Sequence, residues 1–209
     1  MAINMIVIID YNMGNIGSIA NMIKKAGGVA TLSSDPNQIE QAEKLILPGV
    51  GAFDVGMQNL AELGFIEILR KKAIEKRTPI LGICLGMQLL TERSEEGVLP
   101  GLGLVNASTV RFRFDSNSNL RIPHMGWNSV TVRKESQLFH DMYPDPVFYF
   151  VHSYYVVCHS AEDVLSTTNY GYDFVSSLQK GNILGTQFHP EKSHKYGLKL
   201  IKNFVELVH

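Results

Sequence analysis

Short apolar runs alternate with helical patterns along the first half of this 209-residue chain, and this alternation constrains the fold more than any other feature. A short apolar run is typical of a strand that is buried on both faces, whereas apolar residues three and four apart indicate a helix. The predicted strands are residues 5–9, 29–32, 44–47 and 80–83, and the predicted helices are residues 16–26, 36–42, 53–60, 65–76 and 85–91. Strands that are separated by helices pair in parallel through right-handed crossovers.

The second half, from about residue 103, is rich in β-branched and aromatic residues, which favour strands. Strands are predicted at residues 109–114, 129–132, 147–157, 164–168, 174–178 and 183–188, with a hairpin turn at 179–182 and a final helix at 196–208. The sequence therefore predicts an α/β fold in one domain over residues 1–209. Its sheet is expected to be mostly parallel and flanked by helices, with added antiparallel strands.

Composition narrows the functional classes. Apolar residues make up 45% of the chain and charged residues 19%, which is typical of a globular protein, and the net charge of −1 gives no indication of a nucleic-acid or membrane-surface partner. The two cysteines, Cys84 and Cys158, form neither a disulfide framework nor a metal-type spacing. With no signal-peptide pattern at the N-terminus, we expect a cytoplasmic protein with reduced thiols and without a metal.

The segment Gly82-Ile83-Cys84-Leu85-Gly86 lies where a predicted strand runs directly into a predicted helix. In a nucleophile elbow, a strained strand-to-helix turn exposes a reactive side chain, and flanking glycines let neighbouring backbone come close. Cys84 is therefore a candidate nucleophile, and the amide of Leu85 is a candidate donor to a developing oxyanion. A buried structural cysteine in a glycine-containing turn fits the same pattern equally well.

The segment Phe188-His189-Pro190-Glu191 follows the end of another predicted strand. A cysteine nucleophile needs a base, and the base needs a group that orients it. Pro190 favours an extended His189, which places Glu191 two residues further along on the same face. Alone, His189 fits a solvated loop histidine better. Beside the elbow, a triad of Cys84, His189 and Glu191 becomes the better interpretation.

Residues 47–51 read Leu-Pro-Gly-Val-Gly and follow a third predicted strand. Such a strand end can offer backbone amides to an anion, so Gly51 could complete an oxyanion hole opposite Leu85. Taken alone, the segment fits a plain strand-to-helix turn better.

In this order, the three motifs resemble those of the class I, or triad, glutamine amidotransferases: a Pro-Gly oxyanion strand, a Gly-x-Cys-x-Gly elbow and a His-Pro-Glu segment near the C-terminus. The resemblance covers essentially the whole chain. It implies a class I glutamine amidotransferase-like fold and hydrolysis of the side-chain amide of glutamine through a thioester on Cys84. It implies no cofactor, and the ammonia is expected to pass to a partner enzyme without release into bulk water.

The resemblance also implies roles for the residues at matching positions. The implied catalytic residues are Cys84, His189 and Glu191, and the implied oxyanion hole consists of Gly51 and Leu85. The residues expected to bind glutamine are Gly49, Gln88, Glu96, His152 and Ser153, with Glu96 facing the α-ammonium group. The residues expected to face the partner and the ammonia exit are Asn15, Trp127 and Lys192. His152 and Trp127 also fit as core residues, and Cys158 is expected to be structural.

Within the class, the chain is similar to the glutaminase subunits that serve histidine biosynthesis. The similarity rests on residues 10–15 (Asp-Tyr-Asn-Met-Gly-Asn), 48–51 (Pro-Gly-Val-Gly), 124–128 (His-Met-Gly-Trp-Asn), 149–154 (Tyr-Phe-Val-His-Ser-Tyr) and 188–193 (Phe-His-Pro-Glu-Lys-Ser). It implies a heterodimer with a (β/α)8-barrel cyclase that receives ammonia through a tunnel.

The chain departs from that subfamily at Asn12, where glycine is usual, and at residues 16–18, which lack a basic residue often found there. Both departures lie in the region assigned to the partner face, so they bear on the ammonia acceptor. Paralogues deliver ammonia to a synthase of amidino sugars for surface polysaccharides, which is an alternative function. A stand-alone cysteine peptidase is a further alternative, against which the pair Gln88 and Glu96 argues. A regulatory subunit without catalytic activity is another, against which the intact triad argues.

Overall fold

The computed structural model of the protein describes residues 5–115 and 117–208. Its helices are α1 (Ile16–Lys25), α2 (Pro36–Gln41), α3 (Phe53–Glu62), α4 (Phe65–Ile74), α5 (Leu85–Leu89) and α6 (His194–Glu206). Its strands are β1 (Ile6–Ile9), β2 (Ala30–Ser33), β3 (Lys44–Leu47), β4 (Ile80–Ile83), β5 (Arg93–Ser94), β6 (Ala107–Arg111), β7 (His124–Ser129), β8 (Thr131–Val132), β9 (Val147–His152), β10 (Tyr154–Cys158), β11 (Val164–Tyr170), β12 (Tyr172–Lys180) and β13 (Ile183–Thr186). Short 3-10 helices cover Gln137–Phe139, Ala161–Asp163 and Pro190–Lys192.

The parallel part of the main sheet has the strand order β2-β1-β3-β4-β13. Four of these strands come from the first half of the chain, and β13 joins them from the second half beside β4. The antiparallel strands continue the sheet from β13 through β12, β10 and β6, and β11 and β8 are attached to it at β12. The predicted fold class, a mostly parallel sheet flanked by helices and extended by antiparallel strands, is confirmed.

Helices cover both faces of the parallel strands. Along β1, Val7 and Ile9 pack into the core with α2, α3 and α4, whereas Ile6 and Ile8 pack into a second core with α1 and α6. Side chains alternate between the two faces of a strand, so a strand between two helical layers is apolar at nearly every position. This explains why the apolar runs identified these strands to within a residue or two.

Two predicted strands are wrong. The run at residues 129–132 is divided between β7, which ends at Ser129, and β8, which begins at Thr131 in the other sheet. The run at residues 147–157 is broken at Ser153 into β9 and β10, and the two pieces belong to different sheets. β10 pairs with β6 in the main sheet, whereas β9 pairs antiparallel with β7 in a separate two-stranded sheet. The break does not show in the sequence because aromatic and β-branched residues continue on both sides of Ser153 and only tertiary pairing separates the two strands.

The elbow between β4 and α5 requires glycine at position 86. A Cβ atom there would collide with the carbonyl oxygen of Leu47, at the end of β3. Both colliding groups belong to backbone in regular structure, so neither can move aside without disturbing β3 or α5. The side-chain-free backbone of Gly86 therefore lets α5 begin directly against β3.

We predict that Gly86→Ala lowers the free energy of unfolding by at least about 1–3 kcal/mol, the range of an overpacked core, because β3 and α5 must separate. Gly17→Ala is the matched control, since a Cβ at that helical position meets no atom within 4 Å. It should raise the stability slightly, by about 0.5–1 kcal/mol, because alanine is the better helix former. Urea unfolding of both variants tests this, and equal stability of the two would contradict the packing argument.

Candidate active site

The segments that carry the three motifs meet at one edge of the sheet. β3, β4 and β13 are adjacent and parallel, so the chain leaves all three at the same edge. The register pairs Ile83 with Thr186, and the amide of Cys84 donates a 2.7 Å hydrogen bond to the Thr186 carbonyl. In open α/β sheets, ligand sites lie outside the carboxyl ends of the strands. The parallel pairing thus collects the predicted site residues.

Cys84 occupies the strained turn that the elbow motif predicts. Its φ of 54° and ψ of −110° lie in a region that non-glycine residues seldom adopt, and α5 begins at the next residue. Strained backbone of this kind costs about 1–3 kcal/mol and is found at active sites. The predicted helix 85–91 is shorter than expected and ends at Leu89.

His189 and Glu191 are hydrogen bonded to each other. His189 Nδ1 lies 2.8 Å from Glu191 Oε1, and both side chains are almost completely buried. His189 is extended, as expected, but Pro190–Lys192 forms a 3-10 helix, so the prediction that the two side chains meet along one extended segment is wrong. The backbone of His189 is fixed on both sides: its amide donates to the Tyr149 carbonyl (2.9 Å), and its carbonyl accepts from Ser193 Oγ (2.6 Å).

Two acidic neighbours decide the charge of His189. Burial lowers the pKa of His189, but the Cys84 sulfur and the Glu191 carboxylate favour the imidazolium and raise it to about 10. His189 Nε2 is buried and has no hydrogen-bond partner among the described residues. The arrangement therefore favours a protonated imidazole beside the Cys84 sulfur, with Glu191 fixing the ring from the other side.

Cys84 and His189 line a cavity of about 320 Å³. Its walls are Val50, Gly51, Cys84, Leu85, Gln88, Glu96, Pro123, Val151, His152, Ser153, Tyr154 and His189. A volume of this order suits a small ligand such as an amino acid. The cavity brings together the predicted nucleophile and base, both predicted oxyanion residues and four of the five residues predicted to bind glutamine.

The fifth residue, Gly49, packs behind the elbow. A Cβ atom there would lie 2.8 Å from Leu85 Cβ and from the Tyr11 hydroxyl oxygen. Tyr11 is fully buried, and its hydroxyl donates a 2.5 Å hydrogen bond to the Pro48 carbonyl. Tyr11 therefore holds the segment that leads to Gly51, a role that no local motif in the sequence indicates. A direct contact of Gly49 with glutamine stays a prediction.

Gln88 and Glu96 each keep one side-chain oxygen available to a ligand. Gln88 Nε2 donates to the Tyr154 carbonyl and to Gln187 Oε1, both at 3.1 Å, which uses both of its N–H groups. Glu96 Oε2 accepts from the amide of Phe53 at 2.9 Å, and burial raises the pKa of the Glu96 carboxyl despite this bond. A cationic ligand group beside Glu96 would favour its ionised form.

His152 lines the cavity but has both ring nitrogens in use, as expected of a core histidine. Nδ1 lies 2.7 Å from the Tyr154 carbonyl, and Nε2 lies 3.0 Å from His124 Nδ1. His124 Nε2 in turn accepts from Asn128 Nδ2 at 3.2 Å. Burial lowers the pKa of His152 to about 3 and that of His124 to about 4, so both rings are neutral. Of the pair predicted to bind the α-carboxylate, Ser153 therefore has the freer side chain.

The three residues predicted to face a partner lie outside the cavity. Asn15 is exposed and caps α1, where its Oδ1 accepts from the Ser18 amide at 3.4 Å. Trp127 is 47% exposed and stacks on His194, which rules out the core interpretation. Lys192 is exposed, with Nζ 5.6 Å from the centre of the Tyr149 ring.

Asn12, the departure from the subfamily pattern, has a left-handed backbone with φ of 63°. Among residues with a side chain, asparagine tolerates this conformation best, because its short polar side chain hydrogen-bonds locally. The Asn12 amide donates to Asp10 Oδ1 at 3.2 Å. Asparagine in place of glycine is therefore compatible with the same turn.

The described residues contain neither a metal-binding cluster nor a membrane-spanning helix. No cluster of three or more histidine, cysteine, aspartate or glutamate side chains there is arranged to hold a metal ion. No helix in residues 5–115 or 117–208 is long and apolar enough to cross a membrane.

Comparison with known proteins identifies the family. Residues 7–207 match the family model described as glutamine amidotransferase class-I. The chain belongs to this family.

Two curated relatives are similar over almost their whole length. "Imidazole glycerol phosphate synthase subunit HisH 2" of Methanococcus maripaludis is 55% identical, with 97% of this chain and 99% of the relative covered. The protein of the same name from Pseudomonas aeruginosa is 50% identical, with 98% and 100% covered. Among solved structures, that of PurLQS from Thermotoga maritima superposes with a TM-score of 0.74 at 17% identity, covering 98% of this chain and 99% of that chain, and so shares the fold.

We predict that Cys84→Ala and Glu191→Gln each lower the pKa of His189, because each removes a negative charge that favours the imidazolium. The measurement is NMR titration of the imidazole nitrogens in the wild type and both variants. His152 is the internal control, since it should stay neutral throughout the neutral pH range in all three proteins. An unchanged His189 titration in both variants would contradict the assigned electrostatics.

Proposed function

We propose that this chain is the glutaminase subunit of an imidazole glycerol phosphate synthase, which hydrolyses glutamine to glutamate and ammonia and passes the ammonia to a cyclase subunit in histidine biosynthesis. The observation that carries the proposal is the cavity at the carboxyl edge of the sheet, which holds Cys84 and His189 side by side with Glu191 bound behind the imidazole. Membership of the family and the names of the close relatives support the same function.

The first half of the reaction forms a thioester. The Cys84 thiolate attacks the carboxamide carbon of glutamine, and the amides of Gly51 and Leu85 stabilise the resulting oxyanion. The C–N bond then breaks, and the His189 imidazolium gives its proton to the leaving ammonia. A raised His189 pKa suits this step, because the proton must already be on the ring when the thiolate attacks.

The second half releases glutamate. Neutral His189 takes a proton from water, which attacks the thioester carbon, and the C–S bond breaks to restore the thiolate and the imidazolium. Glu191 holds the ring in one orientation through both halves. Glu96 binds the α-ammonium group of glutamine through its free oxygen, and Gln88 accepts a hydrogen bond from the substrate through Oε1.

The ammonia acceptor is proposed to be a (β/α)8-barrel cyclase that docks on the exposed surface formed by Asn15, Trp127 and Lys192. Trp127 and Lys192 both lie against the ring of Tyr149, whose carbonyl fixes the backbone of His189. The partner would thus bind next to the segment that carries the base. Large exposed aromatic side chains such as Trp127 are typical anchors of protein interfaces. A cytoplasmic location remains a prediction of the sequence.

The alternatives are less well supported. The relatives described above are named as subunits of imidazole glycerol phosphate synthase, which favours histidine biosynthesis over an amidino-sugar pathway. A peptidase needs a cleft that holds a chain on both sides of its nucleophile, whereas here Glu96 and Gln88 line a cavity of about 320 Å³, a volume that suits a free amino acid.

We predict that the purified chain releases glutamate slowly from glutamine and that a cyclase with its nucleotide ligand stimulates the release strongly. Cys84→Ala should abolish both activities, because it removes the nucleophile. Cys158→Ala is the matched control: burial raises the pKa of the Cys158 thiol to about 12, so this thiol is protonated and unreactive at neutral pH. Glutamate release is measured with a coupled dehydrogenase assay.

The outcomes separate the alternatives. Undiminished turnover in Cys84→Ala would refute the mechanism. If a histidine-pathway cyclase does not stimulate the basal activity, Cys84 is still the nucleophile but the partner is another synthase. An amidino-sugar synthase would then be tested next.

We also predict that Trp127→Ala weakens binding of the cyclase by about 2 kcal/mol, or roughly thirtyfold in Kd, as expected for a central aromatic anchor. Its basal glutaminase activity should be nearly unchanged, because the indole lies outside the cavity. Ile74→Ala is the control, since Ile74 is also exposed but lies in α4, on the opposite face of the sheet. Calorimetric titration measures both affinities, and equal affinities would exclude Trp127 from the interface.

A further inference from the structure

We propose that Gln187 is a further residue of the active site, whose side-chain amide donates a hydrogen bond to the sulfur of Cys84 and stabilises the thiolate, and that Gln88 holds it in this orientation. Neither role was evident from the sequence. The proposal deepens the proposed function, since it concerns the same nucleophile.

The register of the parallel strands places Gln187 beside the nucleophile. Ile83 at the end of β4 pairs with Thr186 at the end of β13, so the next residues along the two strands, Cys84 and Gln187, are also neighbours. The Gln187 side chain is fully buried. Its backbone amide donates to the Ser176 carbonyl of β12 at 2.9 Å, which ties Gln187 to the antiparallel strands as well.

The contacts to the sulfur are few. Gln187 Nε2 lies 3.7 Å from Cys84 Sγ, within the range of an N–H···S hydrogen bond. Besides the imidazole of His189, the Val151 carbonyl oxygen lies 4.0 Å from the sulfur, where it can accept from a thiol but repels a thiolate. Gln187 is thus a neutral donor that favours the ionised sulfur without adding charge to the cavity.

The hydrogen-bond partners of the Gln187 side-chain amide determine which of its two terminal atoms is the oxygen and which is the nitrogen. The Tyr154 carbonyl can only accept, so the Gln88 atom 3.1 Å from it must be the nitrogen. That nitrogen also lies 3.1 Å from Gln187, so the Gln187 atom facing it must be the acceptor Oε1. The remaining nitrogen of Gln187 is then directed at Cys84.

These contacts give Gln88 a second role, which is to orient the side chain of Gln187. Both of its N–H groups are used within the protein, on Tyr154 and Gln187, so it positions a second glutamine side chain in addition to meeting the substrate through Oε1. Because a hydrogen bond to a charged group is worth more than one to a neutral group, the donor from Gln187 matters most when the sulfur is ionised. His189 supplies the proton chemistry, and Gln187 lowers the energy of the thiolate.

The test is the pH dependence of Cys84 alkylation by iodoacetamide, which needs neither glutamine nor a partner. Gln187→Met removes the donor at nearly constant volume, and the alkylation curve should move to higher pH by about one unit, equivalent to about tenfold slower reaction at neutral pH. Gln187→Glu replaces the donor by an acceptor and should move the curve further. The same substitution at an exposed position, Gln137→Met, is the control and should leave the curve unchanged.

Curves for Gln187→Met and the wild type that coincide would overturn the proposal. Should a variant fail to fold, the wild type provides the test by NMR: the Gln187 side-chain amide signals should move with pH over the same range as the alkylation rate. They should be insensitive to pH over that range in Cys84→Ala. Amide signals that ignore the state of the sulfur in the wild type would equally exclude the hydrogen bond.

Glutaminase kinetics then separate this proposal from the proposed function. In Gln187→Met, kcat should fall about tenfold with KM nearly unchanged, because the amide contacts the sulfur and not the substrate. A shifted alkylation curve in a chain that releases no glutamate would support the role of Gln187 while the proposed function failed. Normal glutaminase activity of Gln187→Met with an unshifted alkylation curve would support the proposed function and refute the role of Gln187.

Discussion

The site depends on the close approach of two backbones, where the first turn of α5 at Gly86 lies against the carbonyl end of β3 at Leu47. No side chain fits between them, so the position of α5 is fixed by backbone and not by a side chain that could adopt other rotamers. Cys84 must then make its sharp left-handed turn immediately before the helix. The same contact brings the segment after β3 next to Leu85, where two amides can serve one oxyanion.

The protonation of each histidine in the site is set by the groups around it and not by the residue type alone. His189 and His152 line the same cavity and are both buried, yet the pKa of His189 rises to about 10 and that of His152 falls to about 3. His189 lies between a thiol and a carboxyl group, whereas His152 is held between a carbonyl and the neutral ring of His124. One histidine is thus poised for proton transfer, and the other is a rigid part of the wall.

The loop after β1 connects residues 48–51, which contain the predicted oxyanion amide of Gly51, to the surface at Asn15 that is predicted to face the partner. Tyr11 binds the Pro48 carbonyl from inside the protein, while Asn12 and Asn15 in the same loop are exposed. A partner that contacts Asn12 would therefore act on the residue next in the chain to Tyr11, which supports residues 48–51. On the other side of the cavity, Tyr149 similarly connects the surface at Trp127 to the backbone of His189.

The sequence by itself determined the parallel core, the elbow and the motif that contains His189 and Glu191, because each depends on local pattern: apolar runs, glycine spacing and residues two apart. Only the tertiary structure decided that the run at 147–157 divides at Ser153, that a 3-10 helix brings Glu191 to His189, and that Tyr11 and Gln187 belong to the site. Apart from the local 3-10 turn, these features arise from strand order and register between segments as far apart as Cys84 and Gln187. No pattern within one segment records which distant segment will lie beside it, since pairing is selected by the packing of the whole sheet.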